Sequence, residues 1–164
     1  MKNKMQKEHS IEELKEKYEK FKTKYNLPEF TELNKLFDVE EISPETEFLL
    51  KKIRRITTER ITEYLRFIDI ILNPSNAPIF FFRLVKKLNI NDRNSLMGIY
   101  EKLEKFELQA IALDIEYSEK KEAETIKEIF KVFDNSVKKD FLATIEKLNG
   151  EEENSKKING SYFG

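Results

Sequence analysis

Along most of this chain apolar residues recur at spacings of three and four, which line up one face of an α-helix. Ile11, Leu14, Tyr18, Phe21 and Tyr25 make a narrow stripe on an otherwise charged rod. Ser10 followed by Glu13 has the form of a capping box and predicts a helix start there. Asn26-Leu27-Pro28 ends that helix, and Pro28 opens a short one carrying Phe30, Leu33, Leu36 and Phe37. Ser43 and Pro44 read as the cap and first position of a long helix that Asn73-Pro74 stops near Leu72. A short helix comes next over 78–88, then a long one over about 92–117 after "NINDRNS". Ser118 begins the last, whose Ala123, Ile126, Phe130, Phe133, Val137, Phe141, Ile145 and Leu148 keep one face, with a break near 134–136.

No segment alternates as a strand would, and no solenoid repeat is present. The pattern predicts an all-α, single-domain, antiparallel bundle of five to six helices with short connections over residues 10–149. Residues 1–9 and 150–164 lack a period and read as flexible ends. Tyr162 and Phe163 are unusual in so polar a tail and suggest docking on the body or a partner.

The stretch "NPSNAPIFFFRLVKKLN" at 73–89 breaks the ordinary pattern, because a helix with one neighbour cannot bury three successive phenylalanines. Phe81, Leu84, Val85 and Leu88 centre an apolar arc of roughly 200° that includes Phe80 and Phe82, twice the width of an ordinary surface stripe. This predicts a central helix surrounded by longer ones, or else a partner surface in which Phe80 and Phe82 take part.

Helical projection also sets polar residues among apolar ones. In the helix of 44–72 the apolar face centres on Leu49, Ile53, Tyr64, Phe67 and Ile71, with Thr57 and Arg60 inside it. In the helix of 92–117 it centres on Leu96, Tyr100, Leu103, Ala110 and Ile111, with Glu107 and Asp114 near the middle. Charges are seldom buried without a partner. Arg60 is therefore expected to meet Glu107 or Asp114 across the core, with Thr57, Tyr64 or Tyr100 adding hydrogen bonds. Such a cluster reads first as a structural ion pair and second as a ligand pocket, in which an arginine suits a carboxylate or phosphate and the acids suit a cation.

Composition narrows the chemistry. The 164 residues are 39% hydrophobic and 37% charged with a net charge of -1, which suits one core with charge-coated helices and disfavours a general nucleic-acid binder. The absence of cysteine excludes disulfides, thiolate catalysis and iron–sulfur clusters, and the single His9 excludes sites built on two imidazoles. No metal, cofactor or catalytic residue is assigned. The opening residues are too polar for a secretory signal, and charges interrupt the longest apolar region, so neither a membrane span nor export is expected and the cytoplasm is the predicted location.

Residues 51–55, "KKIRR", read as a solvated basic face around an inward Ile53, and His9 as a staple against Leu14. Residues 12–16, "EELKE", resemble the first carboxylate motif of the all-helical nucleoside-triphosphate pyrophosphohydrolases of the MazG type, which hold magnesium on such acids. The resemblance covers five residues, and the Glu-x-x-Asp that the family carries on a following helix is absent. Glu12, Glu13 and Glu16 then read as a solvated helix start favoured by the macrodipole. The sequence thus points to a non-enzymatic helical interaction or scaffold module with a protein partner or a second copy. The alternative is a small-molecule binder or enzyme around Arg60, Glu107 and Asp114.

Overall fold

A computed structural model describes residues 2–76 and 78–150, and among them the chain is all α-helical. The helices are α1 (Lys2–Tyr25), α2 (Phe30–Phe37), α3 (Leu49–Leu72), α4 (Ile79–Lys87), α5 (Ile90–Leu103), α6 (Lys105–Ile115), α7 (Glu119–Val132) and α8 (Lys138–Gly150). Six rods result when α5 is counted with α6 and α7 with α8. The bundle predicted from the pattern is the bundle observed.

Helix ends follow local chemistry where the cap residues act alone. Asn26 takes the left-handed conformation after α1, and the Leu27 N–H returns to the Lys22 carbonyl, closing a Schellman turn. Asn89 and Asp92 cap α5 reciprocally, each side chain accepting from the other's backbone N–H. Ser118 caps α7 by accepting from the Lys121 N–H.

Two expected starts are displaced. Ser10 lies inside α1, which begins at Lys2, because residues 2–9 hold neither Pro nor Gly and are mostly good helix formers. His9 consequently pairs with Glu13 one turn on (3.2 Å) instead of stapling Leu14. Glu12, Glu13 and Glu16 are exposed in mid-helix, beyond reach of a terminal dipole. The third helix begins at Leu49, not Pro44: the Thr46 N–H bonds to the Ser43 carbonyl in a separate turn, which Lys17 of α1 contacts through the carbonyls of Pro44 and Thr46.

The helix enclosed on several sides is α3, which packs against α2, α4, α5, α6 and α7. Leu50, Ile53, Ile61, Leu65, Ile68 and Ile71 are all buried along it, and the core continues through Leu14 and Tyr18, Leu33 and Phe37, Leu96 and Phe106, and Ile126 and Ile129. The expectation of a central α4 is corrected. That helix sits at the edge against α3 and α8 and buries Val85 alone within its span, with Phe80 59% and Phe82 43% exposed.

Two irregular turns control phase. At the α5–α6 junction the Glu107 N–H bonds to the Glu104 carbonyl, three residues back, and this tightening rotates α6 relative to α5. Leu103 and Phe106 then both enter the core, while Ile111, expected inside, is exposed. Between α7 and α8, residues Phe133–Val137 form a π turn in which the Lys138 N–H reaches the Phe133 carbonyl, five residues back. The wider turn absorbs the drift of four-residue steps, so Phe133, Val137 and Phe141 all stay on the buried side.

Candidate functional site

The charged cluster exists, but Arg54 occupies its centre. On α3 the order Leu50, Arg54, Thr57, Ile61 sets Arg54 in a buried stripe, and the residue is 1% exposed. Its carbonyl accepts the Thr57 and Thr58 hydroxyls, each at 2.8 Å, which satisfies both buried threonines within the helix. The guanidinium reaches across to α7 and α6. Nε donates to Glu122 Oε2 (2.8 Å), and Nη2 donates to Glu122 Oε1 (3.3 Å) and Asp114 Oδ1 (2.7 Å).

Glu122 is 0% exposed and belongs to the same face of α7 as Ile126, Ile129 and Phe133. Its burial was legible as a carboxylate in register with that stripe. Asp114 Oδ1 also accepts from Arg55 Nε (3.2 Å) and Nη2 (3.1 Å), and Lys51 Nζ lies 3.9 Å away. Burial alone would lower the guanidinium's proton affinity, but the hydrogen bonds it donates to Glu122 and Asp114 outweigh this and raise Arg54 above its ordinary value. Reciprocally, the hydrogen bond from Arg54 holds the Asp114 carboxyl below the ordinary range.

Arg60 meets neither Glu107 nor Asp114. It lies a third exposed on another flank of α3, where Nη1 donates to Glu63 (3.0 Å) and Nη2 to Asp38 (3.2 Å). The projection failed because α3 is apolar around much of its circumference, leaving the inward direction to its neighbours. Glu107 accepts from the Thr62 hydroxyl (2.9 Å). Tyr64 stacks on Phe133 (5.4 Å) on a separate flank, and Tyr100 is half-buried, its phenol raised by burial. Of the expected residues, Glu107 and Asp114 thus share one side of α3 and Thr57 supports Arg54, while Arg60, Tyr64 and Tyr100 stand apart. The basic run at 51–55 is also corrected, since Arg54 is buried and not solvated.

Above the cluster an open cleft of about 710 Å³ runs between α3 and α6. Arg54, Arg55, Thr58, Glu59, Thr62, Glu63 and Arg66 line one wall, and Glu107, Ala110, Ile111 and Asp114 the other. Arg54 Nη1 donates to no described residue. Among the described residues no three His, Asp or Glu side chains converge as a bound metal would require.

Beside the cleft, the outer face of α6 is apolar. Leu108 (73% exposed), Ile111 and Ile115 (83%) lie at i, i+3 and i+7, while Phe106 and Leu113 are buried on the other side. The exposed ring pair Phe48 and Tyr117 (5.1 Å) lies just beyond the C-terminal end of this stripe. Phe80 and Phe82 are exposed on α4, and Tyr162 and Phe163 lie outside the described residues. No described helix is long and apolar enough to cross a membrane.

No family model, curated protein or solved structure matches the chain. Geometry alone is left to indicate function.

Proposed function

We propose that this chain is a helical interaction module that docks a protein partner on the outer face of α6. The observation that carries this reading is that α6 is apolar on both sides yet packed on one. An exposed apolar stripe opposite a buried one marks an interaction surface when it is large enough. Leu108, Ile111, Ile115, Phe48 and Tyr117 together expose on the order of 600 Å², taking about 200 Å² for each large side chain fully exposed, which reaches the upper end of the largest patch on a typical monomer. The i, i+3, i+7 spacing suits an apposed helix. Phe80 and Phe82 on α4 offer a second, smaller face.

The test places a photo-crosslinking residue at position 111 or at position 82 and compares the adducts. A partner joined through position 111, and lost in Leu108→Glu/Ile115→Glu with helicity and melting temperature unchanged, supports the reading. Adducts that form equally from both positions and survive the double substitution refute it.

A second reading has one observation in its favour: Arg54 Nη1 and Arg55 stand at the wall of the cleft with Glu107 and Asp114 opposite. A small carboxylate or phosphate would complete that nitrogen's hydrogen bonding. Titration with citrate and with inorganic phosphate, monitored by amide chemical shifts, should move resonances of 54–66 and 107–114 if the cleft is a site.

A further inference from the structure

A third surface feature is independent of both readings. Tyr64 and Phe67 of α3, Phe133 of the π turn and Phe141 of α8 form the floor of a groove of about 460 Å³, with the exposed Leu142 at its edge. That volume falls within the range of small-molecule pockets. The rings contact one another, Tyr64 with Phe133 and Phe141 (5.4 Å each) and Phe67 with Phe141 (6.0 Å), so the floor is built and continuous. The π turn brings Phe133 to it, and such turns recur at functional sites.

The polar groups here are few and of one kind. Among the described residues Lys35 and Lys138 are the only charged ones lining the groove, and no carboxylate lines it. Lys35 has no ion pair among the described residues, and Lys138 pairs only loosely with Asp134 one turn back, at 3.6 Å with both side chains half-exposed. The Tyr64 hydroxyl makes no hydrogen bond to a described residue, and burial favours its protonated, donating form. A peptide crossing this floor would leave backbone N–H groups and carbonyls without partners, and a cation would find no counter-charge. An unbranched apolar chain with one anionic head leaves nothing unsatisfied.

We propose that the groove binds an aliphatic carboxylate, its chain over the rings of Tyr64, Phe67, Phe133 and Phe141 and its head between Lys35 and Lys138.

The experiment titrates the full chain with octanoate, decanoate and dodecanoate below their micelle concentrations, alongside decanol and decylammonium, by calorimetry. Each added methylene should tighten binding about threefold, a little under the full value for a buried methylene because one side of the groove stays open. Lys35→Glu/Lys138→Glu should weaken decanoate at least tenfold and leave decanol unchanged. Leu142→Glu should abolish binding of all three acids, and Ile111→Glu, on the α6 face, should change nothing. Circular dichroism checks the fold of each variant, and the two lysines lie at the rim, so their variant keeps the test decisive should Leu142→Glu unfold. Decylammonium binding as tightly as decanoate, an affinity indifferent to chain length, or decanoate binding unaffected by the lysine substitutions would overturn the proposal.

Discussion

Replacing Arg54 with methionine probes the centre of the molecule most directly. The substitution keeps an unbranched stem of similar reach and deletes the guanidinium, which leaves Glu122 buried without its counter-ion. Breaking a buried ion pair by removing one partner costs about 3–5 kcal/mol, because the remaining charge stays desolvated. Against a total stability of about 5–15 kcal/mol for a domain, that is a large share. In a chain of 164 residues it corresponds to a fall in melting temperature of roughly 10 °C. Glu122→Leu should cost less, since Arg54 keeps Asp114 and borders the open cleft. The double variant Arg54→Met/Glu122→Leu removes both charges and should return to within about 1 kcal/mol of the parent or exceed it. Urea unfolding monitored by circular dichroism at 222 nm gives the three differences, valid if the slope stays constant. A loss below about 1 kcal/mol for Arg54→Met, with a double variant no better than the single, would refute the buried pair.

Three further outcomes are expected. Hydrogen bonds from Arg54 and Arg55 hold the Asp114 carboxyl below its ordinary value, so its contribution to stability is present above about pH 4 and disappears as pH falls through the lowered folded value. The gap in urea midpoint between the parent and Asp114→Asn should therefore be constant from pH 7 to 5 and shrink below pH 4; a gap unchanged at pH 3 contradicts the pairing. Tyr18→Phe removes a buried hydroxyl that donates to the Pro28 carbonyl (2.8 Å), and urea unfolding should show a loss of about 1–2 kcal/mol, much of it from the stranded carbonyl. Deleting Asn135 would convert the π turn to a regular helical one and rotate α8 by about 100°. This withdraws Phe141, Thr144 and Leu148 from the core, so limited proteolysis should cut within α8; resistance equal to the parent would show that the extra residue is idle.

By itself the sequence determined the secondary structure and the class of fold. Period, helix-forming composition and a few local caps act over one or two turns, and they located the ends of α1 and α3, the opening of α7 and the irregularity after Phe133. Leu49, Ile53, Ile126 and Phe141 were legible as core for the same reason. Tertiary structure alone decided which rod is surrounded and which charge goes inside. Phe80–Phe82 made α4 look central, yet α3 holds that place, and with apolar residues around most of its girth its own pattern could not distinguish Arg54 from Arg60. A single tight turn at 104–107 sent Ile111 outward, and residues 43–46, contacted by Lys17 of α1, form a turn of their own before α3. Each of these choices depends on contacts between segments distant in the chain, where packing and charge pairing act across space, while helical period reports only on neighbours along one rod.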